Sequence, residues 1–253
     1  MQIGQCVLIK DDVNKVLYEI KSINNDIAYI EGVYHRICRN IAIGSLTIAT
    51  ITDIDEAKKK TDNYYYKLIN QKFRQEKKYI LGTILHIDGD DTYLNKCLEL
   101  YSSLGIFAYG VKVQEKNMER DVIKILKQII PSIIVLTGHD SYNTKGIADL
   151  DNYTNTKNYM NAVKAIRHTD SNCCIIAGAC QSNFEALMAS GANYASSPKR
   201  MNVHTFDPAV IAIKVATTSF SKLVDFEETI KFIENGRDAF GGIETFGKMK
   251  LLV

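Results

Sequence analysis

The sequence has little surplus charge, no long apolar run and no cysteine pair spaced for a metal, and each absence removes a class of function. Lys plus Arg number 31 against 29 Asp plus Glu, a formal charge of +2. That balance leaves no general electrostatic footprint for a nucleic acid. The longest apolar stretch, Ile129–Leu136, falls well short of the ~20 residues of a membrane span and is interrupted by Pro131. Met1-Gln2-Ile3-Gly4-Gln5 contains no basic region followed by an apolar one, so no secretory signal is visible. The six cysteines, Cys6, Cys38, Cys97, Cys173, Cys174 and Cys180, are unevenly spaced and mostly set in apolar runs. They read as reduced thiols of an intracellular protein rather than a disulfide framework. With no Cys-x-x-Cys pair, no zinc site is expected. Walker loops, dinucleotide fingerprints, internal repeats and low-complexity tracts are also absent, and no cofactor is expected.

What is present is enough apolar residue, 46% of 253, to build a packed core. Three regions separate. Residues 1–52 carry five short β-like segments, Gln5–Ile9, Val16–Ile23, Ile27–Glu31, His35–Ala42 and Leu46–Thr52, punctuated by Gly4, Asn24-Asn25, Gly32 and Gly44. They predict a small all-β, SH3-like barrel with a docking or structural role. Residues 53–79 are polar, with acids early (Asp53, Asp55, Glu56) and bases later (Lys58-Lys59-Lys60, Arg74, Lys77-Lys78). That order suits a helix dipole and predicts a charged linker helix. Residues 80–253 alternate strand and helix: strand Ile80–Ile87, helix Asp90–Leu104 ended by Gly105, strand Ile106–Val113, helix Glu119–Ile130, strand Ile133–Leu136, helix Asn158–Arg167, strand Cys173–Ala177 and helix Asn183–Ser190 ended by Gly191. Such alternation predicts an α/β domain with a parallel sheet covered by helices on both faces. The remainder is less regular, with a helix at Phe226–Glu234 and a turn at Gly241-Gly242.

Open α/β sheets place their sites outside the carboxyl ends of the strands. His139 follows Ile133–Leu136, and Cys180 follows Cys174–Ala177. If these two strands are neighbours they lie about 4.8 Å apart, and the imidazole is then expected beside the thiol. His139 then serves as general base and acid for a Cys180 nucleophile. Cys180 is expected to open a helix whose dipole favours the thiolate. Its backbone N–H and that of Asp140 are the candidate oxyanion hole. The bland alternatives are a buried strand-end thiol and a capping histidine. Asp88, Asp90 and Asp91 follow the first strand of this region. They are candidates to hold a basic P1 side chain, the alternative being a solvated turn with an N-cap at Asp90 or Asp91. Asp149 and Asp151 are weaker candidates on the loop after His139.

These residues resemble the caspase-like (clan CD) cysteine peptidases, which place a His after one hydrophobic block and a Cys, usually preceded by Ala, after the next. Ile133–His139 and Ile175–Cys180 follow that order, with Gly138-His139-Asp140 where those enzymes carry His-Gly. A closer resemblance, over nearly the whole length, is to the YabG family of sporulation-specific proteases. It is carried by Leu85-His86-Ile87-Asp88-Gly89-Asp90, Leu136–Asp140, Ala177–Ser182, Gly191–Pro198, Asp207-Pro208 and Gly241–Thr245. The resemblance implies a caspase-like parallel-sheet sandwich and a Cys–His peptidase active late in spore formation. It further implies a place in the cytoplasm of the sporulating cell, associated with the spore coat. The implied substrates are spore coat and germination proteins, cut next to basic residues. A protease of that preference is expected to cut itself within the 53–79 linker. The competing expectations are a receiver-like module, using Asp88, Asp90 and Asp91 for Mg²⁺ and phosphate, and a non-enzymatic spore-coat assembly module.

Overall fold

The computed structural model describes residues 1–69, 79–170 and 172–252. The first five strands, β1 Cys6–Ile9, β2 Tyr18–Asn24, β3 Ile27–Gly32, β4 Cys38–Ala42 and β5 Leu46–Ile48, form one sheet in the order β4-β3-β2-β1-β5. Every pairing in it is antiparallel. The tight β2–β3 turn puts Asn25 in the left-handed region (φ 52°), which Asn tolerates. Alternation is clear along β3, whose residues pass from exposed Ile27 to buried Ala28 and Ile30. The inward face carries Val7, Tyr18, Ile20, Ala28 and Ile30.

Helix α1, Ile51–Ile69, follows directly. Thr50 and Asp53 start it with a reciprocal capping box: the Thr50 N–H donates to Asp53 Oδ2 (2.8 Å), and the Asp53 N–H donates to Thr50 Oγ1 (3.1 Å). The linker helix expected over 53–79 is thus found over 51–69 and carries Lys58, Lys59 and Lys60 within it. Arg74, Lys77 and Lys78 lie outside the described residues.

The remainder is a mixed α/β arrangement. A two-residue strand, β6 Tyr79–Ile80, precedes the main sheet. The main sheet holds β7 Ile84–Asp88, β8 Ala108–Lys112, β9 Ile133–Thr137, β10 Cys174–Ala177, β11 Tyr194–Ser196 and β12 Phe240–Gly242, in the order β12-β11-β10-β9-β7-β8. All its pairs are parallel except β11 with β12. The helices are α2 Asp91–Ser103, α3 Met118–Leu126, α4 Thr156–Thr169, α5 Phe184–Ala189, α6 Asp207–Thr217, α7 Phe226–Ile230 and α8 Gly236–Ala239. A last strand, β13 Lys250–Leu251, pairs with β6.

Successive residues of the central strands enter different cores, as the pleat requires. Ile133, Val135, Cys174 and Ile176 join one apolar cluster with Leu100 of α2 and Ile211 of α6. Ile134, Leu136, Ile175 and Ala177 join the other, with Val122 of α3, Val163 of α4 and Leu187 of α5. The first cluster also contains Val7, Tyr18, Ile20 and Ile30, so the apolar face of the antiparallel sheet shares a core with the main sheet. Helix α6 was not foreseen. Its sequence, Asp-Pro-Ala-Val-Ile-Ala-Ile-Lys-Val-Ala-Thr, is apolar all round and buries nine of its residues. A helix without a polar face offers no 3.6-residue period to read.

The strand order reverses between the parallel neighbours β7 and β9: from β7 the order steps out to β8 on one side, and from β9 to β10 and β11 on the other. The crevice at that switch point is where such sheets bind ligands. Asp88 of β7 and Thr137 of β9 face each other there.

Candidate active site

Three strand ends converge at this edge. After β9, Gly138 lets the chain pass close to its neighbours, since a Cβ there would lie 2.3 Å from Glu115 Oε1 and 2.9 Å from the Tyr159 hydroxyl. The next residue, His139, is 4% exposed. Its N–H donates to Glu115 Oε1 (2.9 Å), and its carbonyl accepts from Asn155 Nδ2 (2.8 Å) and Tyr159 OH (3.2 Å). These bonds fix the backbone and leave the ring to its surroundings. Nδ1 lies 4.0 Å from Glu115 Oε1 and Nε2 lies 3.9 Å from Glu31 Oε2. The Tyr93 ring is 5.2 Å away between centroids. Nε2 is buried and makes no hydrogen bond.

After β10, Gly178 adopts φ +106°, and a Cβ there would lie 2.3 Å from Ser196 Oγ. Cys180 is fully buried. Its thiol accepts from the Val203 N–H (3.1 Å) and donates to the Val203 carbonyl (3.5 Å). Burial pushes this thiol well above the ordinary cysteine range, although the Val203 hydrogen bond and the charge of Arg36 pull the other way. The Cys180 N–H donates to the carbonyl of Arg36 (3.1 Å). Cys180 does not open a helix. The next helix, α5, starts at Phe184 and is capped by Asn183, whose side chain accepts from the Ala186 N–H. Residues 178–182 lie between β10 and the α5 cap, with Gln181 at φ 58°, so Cys180 is not in the first turn of a helix. The helix expected over Asn183–Ser190 is found over Phe184–Ala189; what fails is the expectation that Cys180 opens it.

Strand register sets the ends of β9 and β10 side by side, with Leu136 opposite Ala177, and His139 and Cys180 follow in the loops that leave those two ends. No hydrogen bond joins the two side chains: the thiol faces Val203 and the imidazole faces Glu31 and Glu115.

The three acids after β7 have different fates. Asp88 is fully buried and forms an ion pair with Arg36 Nη1 (2.5 Å). It also accepts from Thr137 Oγ1 (2.8 Å) and the Asp90 N–H (3.0 Å). Burial raises a carboxyl pKa, but the Arg36 charge, the neighbouring His86 and the Asp90 N–H outweigh it and hold Asp88 well below the usual range. Asp90 Oδ1 caps α2, accepting from the Thr92 and Tyr93 N–H groups. Asp91 is exposed and pairs with Lys112 (2.7 Å). Asp140 is buried and braces the loop with four donors: the Ser141 and Asn155 N–H groups and the Thr156 and Ser182 hydroxyls. Burial pushes its carboxyl up to about 6 against those hydrogen bonds. Asp149 caps a single 3-10 turn through the Asp151 N–H, and Asp151 pairs with Lys157 on the surface.

Sequence reasoning missed Arg36, Glu31, Tyr93, Glu115 and Val203. None carries a local signal, because each reaches the site from a distant part of the chain. One group among the described residues has donors placed for a cation: Glu31, Asp90 and His139, with one ligand atom each within 4.8 Å of one another. A cleft of about 1060 Å³ runs from the β1–β2 loop and α1 to Gln181, the neighbour of Cys180, past Arg200 and Asn202. Among the described residues no helix is long and apolar enough to cross a membrane.

Residues 2–253 match the family model described as YabG peptidase U57. Over 193 residues the chain is 38% identical to the sporulation-specific protease YabG of Bacillus subtilis (strain 168). That alignment covers 74% of this chain and 66% of the relative. No solved structure matches.

Proposed function

Since the chain belongs to the YabG peptidase family, we propose that it is a sporulation-specific cysteine endopeptidase in which Cys180 is the nucleophile and His139 the general base and acid. The supporting observation is that the two residues follow the carboxyl ends of the paired neighbours β9 and β10, beside a switch point and with His139 Nε2 unpartnered. In this reading the thiol turns away from Val203 and gives its proton to His139. The thiolate attacks the scissile carbonyl, and the Cys180 and Asp140 N–H groups stabilise the oxyanion. His139 protonates the leaving amine, and water then hydrolyses the thioester. Glu31 and Glu115, each near 4 Å from a ring nitrogen, stabilise the imidazolium formed on the way.

The substrates are proteins of the spore coat and of germination, met in the cytoplasm of the sporulating cell at the coat, and the P1 residue is Arg or Lys. Asp88 is the S1 acid of this proposal, because it sits at the end of β7 and already receives a guanidinium. Asp91 points to solvent with Lys112 as partner, and Asp90 is committed at one oxygen to its helix cap. The barrel-like sheet of residues 1–52, the helical linker and the α/β region act as three units of one enzyme. The receiver-like alternative lacks its acidic pocket, since Arg36 neutralises Asp88, and β9 ends in Thr137-Gly138-His139 rather than an Asp.

The test is turnover of fluorogenic peptides that differ only at P1. Wild type should cleave after Arg and Lys and not after Leu, and Cys180→Ala should lose on the order of 10⁴-fold or more with an unchanged far-UV spectrum. A Cys180→Ala protein as active as wild type ends the assignment.

A further inference from the structure

The connection between β3 and β4 is held in the way a peptidase holds its substrate. Tyr34–Arg36 pairs with Val203–Thr205 as an added strand. The Thr205 N–H (3.0 Å) and Oγ1 (2.9 Å) donate to the Tyr34 carbonyl, and the Arg36 N–H donates to the Val203 carbonyl (3.1 Å). His35 and His204 form an antiparallel bridge between these segments. Tyr93 OH donates to the His35 carbonyl (2.9 Å). One residue on, the Arg36 carbonyl accepts the N–H of Cys180 (3.1 Å), and Ile37 forms a parallel bridge with Asp140.

The Arg36 side chain, 0% exposed, fills a buried pocket that meets both terminal nitrogens of its guanidinium and leaves Nε without a partner. Nη1 meets Asp88 Oδ2 (2.5 Å), Nη2 donates to the Thr205 carbonyl (3.1 Å), and the group lies 5.2 Å from the Tyr93 ring centre. A structural ion pair alone needs only the Asp88 contact. It does not need the antiparallel pairing on both sides of His35, nor a carbonyl seated on the amide of the candidate nucleophile. Those features are the requirements of a P1 residue.

We propose that Arg36 is an internal P1 residue and that Arg36–Ile37 is a peptide bond this chain cleaves in itself. The proposal rests on the Cys180–His139 reading above. The Cys180 thiol gives its proton to His139 Nε2, and the sulfur bonds to the Arg36 carbonyl carbon. The bond from that carbon to the Ile37 nitrogen breaks, and the proton on His139 passes to the Ile37 amine. Water then adds to the thioester, leaving the Arg36 carboxylate and restoring the Cys180 thiol. Until Arg36 leaves the pocket, an external substrate must displace it. Among the described linker bases, none is as well placed for a first cut. Lys58, Lys59 and Lys60 lie inside helix α1, which must unfold before it enters any extended cleft.

The test uses the full chain, its Cys180→Ala variant and Arg36→Gln and Arg36→Lys variants. Intact-mass spectrometry and N-terminal sequencing follow self-cleavage, and an Arg-P1 fluorogenic peptide is measured in parallel. Wild type is expected to yield a new N-terminus at Ile37, while Cys180→Ala stays whole. Arg36→Gln should resist cleavage at that bond and turn over the peptide faster, because its pocket is no longer self-occupied. Arg36→Lys keeps a cation opposite Asp88 should the Gln variant fail to fold, and it should be cut at the same bond more slowly. A wild type that cleaves the peptide but keeps the 36–37 bond, or cuts itself only within 53–79, overturns the proposal and leaves the peptidase reading in place. A wild type that cleaves neither overturns both.

Discussion

Strand β3 of the antiparallel sheet alternates between wet and dry residues, whereas all five residues of β7 and all five of β9 are buried. The first pattern is that of a sheet with one face to water, and the second that of a sheet covered on both faces. A two-faced sheet leaves its strand ends as the place for chemistry, and here the carboxyl ends gather Asp88, His139 and Cys180. A one-faced sheet needs a cover for its apolar side and finds it in the core it shares with Ile133, Val135 and α6. That shared cover explains how a connection of the small sheet reaches the carboxyl edge of the large one.

The sharpest way to break this comparison is at the fully buried Arg36–Asp88 ion pair between the two regions. Asp88→Asn leaves the buried Arg36 charge without its counter-ion and should cost about 3–5 kcal/mol in urea unfolding. The same change should remove the preference for Arg at P1. A loss under 1 kcal/mol, on the order of an exposed pair, would mean that water reaches Arg36.

The shared core is tested by Ile30→Ala. Ile30 is fully buried in the small sheet, and the truncation should cost about 2–5 kcal/mol. If the two sheets depend on each other, fluorescence and circular dichroism should report one coincident transition whose midpoint moves for both. A first transition confined to the small sheet would separate them. The smallest effect belongs to Asp91→Asn. Its partner Lys112 is as exposed as Asp91 itself, so stability should change by no more than about 0.5 kcal/mol and P1 preference should not change. Asp88 and Asp91, three residues apart, thus bracket the range from a buried contact to a solvated one.

Much of this was legible in the sequence because it rests on local period and on strand-end position. The five short strands, the βα alternation and the placement of His139 and Cys180 at neighbouring strand ends follow from such cues. Asp88 was singled out for standing at a strand end, and it faces the only arginine fully buried among the described residues. What escaped has a physical reason in each case. Helix α6 is buried all round and shows no amphipathic period. The expectation that Cys180 opens a helix fails because a turn separates it from the cap, Asn183. Arg36 reads as an ordinary base beside a strand, because its partners Asp88, Cys180 and Val203 are brought to it only by long-range packing.

The most direct test of the central claim is covalent labelling with a peptidyl ketone that carries Arg at P1 and an electrophile at the scissile position. Peptide mapping after incubation with the self-processed protein should find one adduct, on Cys180. It should be absent with the Leu analogue and strongly reduced in His139→Ala, while the other five cysteines remain free. An adduct spread over Cys6, the least buried thiol, and its neighbours, or equal labelling of Cys180 with and without His139, would contradict the account.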